Sequence, residues 1–197
     1  MHRLRRKIVA GIVLAAVCCT TSALQGDPLL KLIEQVAPET VGRPAKQSKK
    51  ADQRQDRRLI KQLSEKWQRS PEYIQRIVDY ARAYSKPDFP RLPHILAIMS
   101  IESSFDVKAR SKGNIGLMQV NLTANGSRLR NKSVEENIRV GVEILREGYF
   151  QLGRDHKSAV LSYNTGVGAY TRGVRNYDYW RKYKKELDWL QKHVENM

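Results

Sequence analysis

Cysteine is nearly absent from this chain: the adjacent Cys18 and Cys19 are its whole supply. Both fall in an amino-terminal stretch that reads as a removable leader, so the mature chain keeps no thiol, disulfide or cysteine metal site. Histidine is sparse too. His2, His94, His156 and His193 are scattered without ligand spacing, and no metal is expected. A Gly-rich loop followed by Lys and Ser or Thr is missing, which removes a phosphate-cradling nucleotide site; no cofactor is expected. Alternation of period two is missing as well, which argues against half-buried strands. Acidic residues are few for the number of basic ones, 20 against 36, giving a formal charge of +16 and a pI near 10.0. Such an excess suits an anionic partner: nucleic acid, a membrane surface or an acidic wall polymer.

What is present narrows that choice. Arg3, Arg5, Arg6 and Lys7 precede one apolar run, Ile8 to Val17, and Thr20-Thr21-Ser22-Ala23 follows. This is the pattern of a secretory signal peptide cleaved after Ala23. The run is short for a bilayer span. An uncleaved anchor or a core helix is the alternative, and so is lipidation of Cys18 or Cys19, which Val17 fits poorly because a small residue normally precedes a lipidated cysteine. Loss of residues 1–23 removes three arginines and one lysine and lowers the formal charge to +12. Export to the periplasm or cell envelope makes nucleic acid an unexpected partner and favours wall or membrane surface.

Leu29 to Val36 fits a short amphipathic helix. From Ala37 to Arg58 the residues are mostly Pro, Gly, Gln, Lys, Arg and Asp with almost no large apolar one, too polar to offset ordering entropy, so 24–58 is expected to hold the short helix and a basic polar linker. The packed domain is expected over 59–197. Leu59, Ile60, Leu63 and Trp67 follow helical spacing. Ser70-Pro71 caps the next helix, which stops near Ser85. Pro87, Pro90 and Pro93 mark a connection, and Ile95 to Ile101 is apolar on nearly every side, as in a central buried helix. Ser133 and Glu136 form a capping box for a helix reaching about Leu152. Gly153 suits its end, and Asp155 caps a helix over 156–163. Gly166 and Gly168 break the chain before a last helix over about 177–193. The domain reads as all-α.

Chemistry concentrates in three strings: Glu102-Ser103-Ser104-Phe105, Gly116-Leu117-Met118-Gln119 and Ser162-Tyr163-Asn164. Glu102 ends the apolar run, where desolvation raises a carboxyl pKa and suits it to donate a proton. Read blandly, it is a surface glutamate disfavoured by the helix dipole. Ser103 and Ser104 can serve as caps, Leu117 and Met118 as core, and Asn164 as a helix end. No second carboxylate accompanies the strings; Asp106 reads as loop, and Asp155 as a cap.

In type and order the strings resemble the catalytic domain of soluble lytic transglycosylases, of lysozyme-like fold, which cut the peptidoglycan strand. The resemblance runs over about 92–175 and includes Asn137-Ile138, Gly141, Leu145 and Gly166-Val167-Gly168-Ala169. It implies a helical domain with a catalytic cleft, Glu102 as the catalytic residue, and Ser103, Ser111, Gly116, Leu117, Met118, Gln119, Tyr163 and Asn164 as substrate-binding positions. It also implies a tyrosine hydroxyl near Glu102 at Tyr163. Departures are a segment 111–116 one residue short with Lys112 where proline is usual, Asn121 for an apolar residue, and Ser162 for alanine. The implied reaction cleaves the MurNAc–GlcNAc β-1,4 bond and closes a 1,6-anhydro ring. A hydrolytic lysozyme of goose type and an inactive wall-binding module are the competing readings. Peptidoglycan is the implied partner, with an anionic envelope surface and an unidentified envelope-spanning assembly as further partners that export allows.

Overall fold

The computed structural model describes residues 45–194, and the expected leader, the 29–36 helix and residues 37–44 lie outside them. Among the described residues the chain is mostly helical. Helix α1 (Ala45–Trp67) is followed by α2 (Pro71–Tyr84) and α3 (Leu92–Ser103). Three two-residue strands come next, β1 (Arg110–Ser111), β2 (Asn114–Ile115) and β3 (Val120–Asn121). The rest is α4 (Leu122–Asn125), a 3-10 turn (Gly126–Arg128), α5 (Val134–Gln151), α6 (His156–Thr165), α7 (Val167–Thr171) and α8 (Tyr177–Val194). None of these helices is long and apolar enough to cross a membrane.

Helix α3 is the axis of the domain. Pro93 through Ser100 are all buried, which is why its sequence is apolar on every side rather than striped. It packs against α8 and α2; α5 packs on α6 and α2. Among the described residues, buried apolar side chains begin at Leu59.

Caps set several ends as the sequence predicts. Ser70 Oγ accepts from the Tyr73 N–H, and Asp155 from that of Ser158 at 2.8 Å. At α5 only half of the predicted capping box forms. Ser133 Oγ accepts from the Glu136 N–H at 3.1 Å, but the Glu136 carboxylate turns to the Asn131 N–H instead, and Asn131 Oδ1 takes the Ser133 N–H. Two further expectations are corrected. Residues 45–58 are helical rather than irregular, because Ala, Lys, Gln and Arg are good helix formers and extend a helix anchored by Leu59, Ile60 and Leu63. Gly168 lies inside α7; only Gly166, at φ 79°, makes the break.

The small sheet is antiparallel in the order β1-β2-β3. Lys112 and Gly113 form the β1–β2 turn with φ 48° and 82°. Positive φ at both central positions is what a two-residue hairpin of this hand requires. Proline, held near −65°, cannot occupy the first of them.

Candidate active site

Glu102 stands in the last turn of α3, half-buried, in the lining of a cleft of about 360 Å³. Asn114, Gln119, Asn121 and Asn125, from the sheet, the turn before β3 and α4, line it together with Ser162 to Val167. Amides and hydroxyls share the lining with Val120, Ala124 and Ile144, and Glu102 is the one carboxylate in it. Burial pushes its pKa up. The opposing influence is a hydrogen bond from the Tyr179 hydroxyl to Glu102 Oε1 at 2.7 Å. Burial, and then the charge of Glu102, push Tyr179 well above the usual phenol range, so it remains a neutral donor.

The two other strings meet Glu102 at the cleft, but their residues divide into two groups. Gln119, Tyr163 and Asn164 line the cleft. Gln119 has left-handed backbone at φ 45°, and its Nε2 donates to the carbonyls of Gly116 and Ala109 at 2.9 and 3.1 Å. The side-chain amide is thus immobilised. Asn164 Oδ1 accepts from Asn176 at 2.9 Å. The remaining residues act from behind. Leu117 and Met118 are buried in the core. Gly116 has φ 73°, and a β-carbon there would meet the Asn137 side chain at 2.7 Å. Asn137 fixes the string from α5: its Oδ1 accepts from the Met118 N–H at 2.9 Å, and its Nδ2 donates to the Ile115 carbonyl at 2.8 Å. Gly141, one turn on, leaves room for Met118. Ser103 donates to the Met99 carbonyl at 3.0 Å, and Ser111 is exposed in β1; neither is part of the cleft lining.

Tyr163 shares the cleft with Glu102, and burial, then the Glu102 charge, push its phenol well above the usual range. Its hydroxyl donates to the Met118 carbonyl at 2.6 Å, tying α6 to the second string, while the hydroxyl bonded to Glu102 belongs to Tyr179. In the sequence Tyr179 is one aromatic among several in the last helix, with Tyr177, Trp180, Tyr183 and Trp189. Its spacing from Glu102, 77 residues, offered no local signal.

The departures have local explanations. Asn121 caps α4 by accepting from the Ala124 N–H at 2.9 Å, and it also donates to Asn114 Oδ1 at 2.8 Å. Ser162 Oγ donates to the Ala159 carbonyl in the space that Gly148 leaves open. Asp106 is absent from the cleft lining; its Oδ1 accepts from the Lys108 N–H at 2.9 Å, and Arg69 lies 3.9 Å from its Oδ2. Among the described residues no cluster of three His, Cys, Asp or Glu is placed to hold a metal ion.

Compared with known proteins, the chain gives two results. No curated protein matches it. A family model described as Transglycosylase SLT domain matches residues 79–187, a span that holds all three strings, Asn137, Gly141 and Tyr179.

Proposed function

The chain belongs to the transglycosylase SLT domain family, and from that premise we propose that it is an exported lytic transglycosylase in which Glu102 alone serves as acid and then base. Family membership carries the coarser statement, a transglycosylase acting on the glycan of peptidoglycan. The single-residue mechanism rests on one observation: a half-buried carboxyl in an amide-lined cleft, held by a neutral phenol, with no second carboxylate in the lining.

Ordinary glycosidases use two carboxyl groups, one to protonate the leaving oxygen and one to activate water or attack the sugar. Glu102, holding its proton through burial, gives it to the glycosidic oxygen as the C1–O bond of the muramic residue breaks. The resulting carboxylate is favoured by the Tyr179 hydrogen bond, which stabilises the charged form. That carboxylate then takes the proton of the muramic 6-hydroxyl as its oxygen bonds to C1. The ring closes, Glu102 is protonated again, and no water is consumed. Intramolecular attack supplies a high effective concentration and needs no positioned water. Gln119, Asn114 and Asn164 offer fixed amides to the hydroxyl and acetamido groups of the strand.

Residues 1–23 are proposed as the export signal and residues 59–197 as the catalytic domain. The excess of basic residues serves attraction to anionic envelope material.

The product ends test this reading. Peptidoglycan digested by the protein is expected to yield muropeptides with 1,6-anhydro ends, lighter by one water than hydrolysed ones, as read by mass spectrometry. A digest dominated by reducing ends would mean hydrolysis and a base still to be found. Sedimentation onto sacculi without released fragments would mean a binding module.

A further inference from the structure

The turn that follows Glu102 is held by a residue from outside the matched span. Ser104 and Phe105 both take left-handed backbone, at φ 50° and 58°, although each carries a β-carbon that disfavours this region. Two such residues in succession persist only where the surroundings fix them firmly. One hydroxyl does much of this. Tyr73 Oη donates to the Phe105 carbonyl at 2.8 Å and accepts from the Val107 N–H at 3.1 Å, bridging the turn from α2. The Phe105 side chain is completely buried, its ring 5.8 Å from that of Trp67 in α1. The other backbone bonds of the turn are local. Ser104 N–H reaches the Ser100 carbonyl at 3.1 Å, and Asp106 N–H that of Ser103 at 2.9 Å.

We propose that Tyr73 is a positioning residue for Glu102, clamping the strained turn so that the end of α3 keeps its carboxyl against Tyr179. The proposal rests on the reading of Glu102 as the reacting acid. Glu102 lies two residues before the first left-handed position, in the final turn of α3. Relaxation of Ser104 and Phe105 toward ordinary backbone rotates that final turn, and the carboxyl moves with it. Tyr73 is not part of the cleft lining, so it acts only through the turn. It also precedes the matched residues 79–187. The catalytic unit therefore includes a part of the chain that the family resemblance does not describe.

Tyr73→Phe removes the hydroxyl and keeps the ring. The full chain is assayed on peptidoglycan for kcat and KM, and the Glu102 carboxyl is titrated by NMR with 13C-labelled glutamate, assigned by its loss in Glu102→Gln. Expected is a fall in kcat of about tenfold or more, because small misplacement of a reacting group is costly, with KM within about twofold. The Glu102 midpoint is expected to move upward, in the same direction as expected for Tyr179→Phe, since the lost hydrogen bond held it down. A variant that melts lower but keeps wild-type kcat and midpoint would overturn the proposal.

Ser104→Gly supplies the second arm, because glycine adopts the left-handed region without strain. In that background Tyr73→Phe is expected to lose no more than about threefold in kcat, and it gives a folded sample should the single variant not fold. Equal loss in both backgrounds would overturn the clamp. The titration needs no turnover. A wild type that cleaves no glycan would end the functional reading, and the midpoint shift would still decide whether Tyr73 positions Glu102.

Discussion

Helices α3 and α8 are joined by a glutamate at each of two places, and the two glutamates are treated in opposite ways. At the cleft, Glu102 of α3 meets only a neutral hydroxyl, that of Tyr179. Nearer the middle of α8, Glu186 accepts from Ser100 of α3 at 2.7 Å and from Lys66 Nζ of α1 at 2.5 Å. Lys66 also lies 4.0 Å from the centroid of the Trp189 ring. Glu102, buried beside a neutral hydroxyl, has its pKa raised by that burial and is fit to donate a proton; Glu186, set against an ammonium, ties three helices together. The side chain is the same. The charge opposite it decides the use.

The same substitution at both places separates the two roles. Glu102→Gln keeps the shape and loses the transferable proton. Peptidoglycan cleavage is expected to fall by at least about 10²–10⁴-fold, measured as soluble muropeptide release, with the circular dichroism spectrum unchanged. Glu186→Gln is expected to do the reverse. It removes the charge facing Lys66 in a poorly solvated position, at a cost of about 1–3 kcal/mol in urea unfolding, while kcat of the folded protein stays within about twofold. If Glu186→Gln abolishes cleavage in a fully folded sample, the division of labour between the two glutamates is wrong.

The first of these positions was legible in the sequence and the second was not. Glu102 closes an apolar run with no polar face, which marks a central helix, but the run alone left a surface glutamate open, and the two other strings were needed to single it out. Ser70, Ser133 and Asp155 were legible because a cap acts within three residues of itself. Glu186 and Tyr179 depend on contacts 86 and 77 residues away, which no local pattern encodes. Tyr73 falls on the helical spacing of Ile74, Ile77, Val78 and Ala81, but that spacing does not reveal that its hydroxyl spans a turn 32 residues on. The sheet escaped notice because strands of two residues are too short to alternate. Composition misread residues 45–58 because it measures burial, and a helix can run on through solvent once one end is packed.

A smaller effect sharpens the same contrast. Burial raises the folded-state pKa of Glu102 above its ordinary 4.5, so the native protein prefers the protonated acid. Its contribution to stability is whole below the ordinary value and is lost as pH rises through the raised one. Glu102→Gln carries no such charge. Its melting temperature is therefore expected to match the wild type in acid and to exceed it increasingly toward neutral pH, by scanning calorimetry at a series of pH values. A constant difference across the series would mean that burial of the carboxyl has no energetic consequence.

Gly141 sets a rule for altering the cleft. A β-carbon there would lie 2.5 Å from the Met118 Cβ, and Asn137, one turn earlier, already fills the space a side chain at Gly116 would need. The cleft string and the inner face of α5 are therefore one packing unit rather than two neighbouring ones. A side chain at 141 needs position 118 to give up its own β-carbon, and one at 116 needs a smaller residue at 137 and bears the strain of its positive φ besides. Anyone redesigning the glycan cleft must change these pairs together.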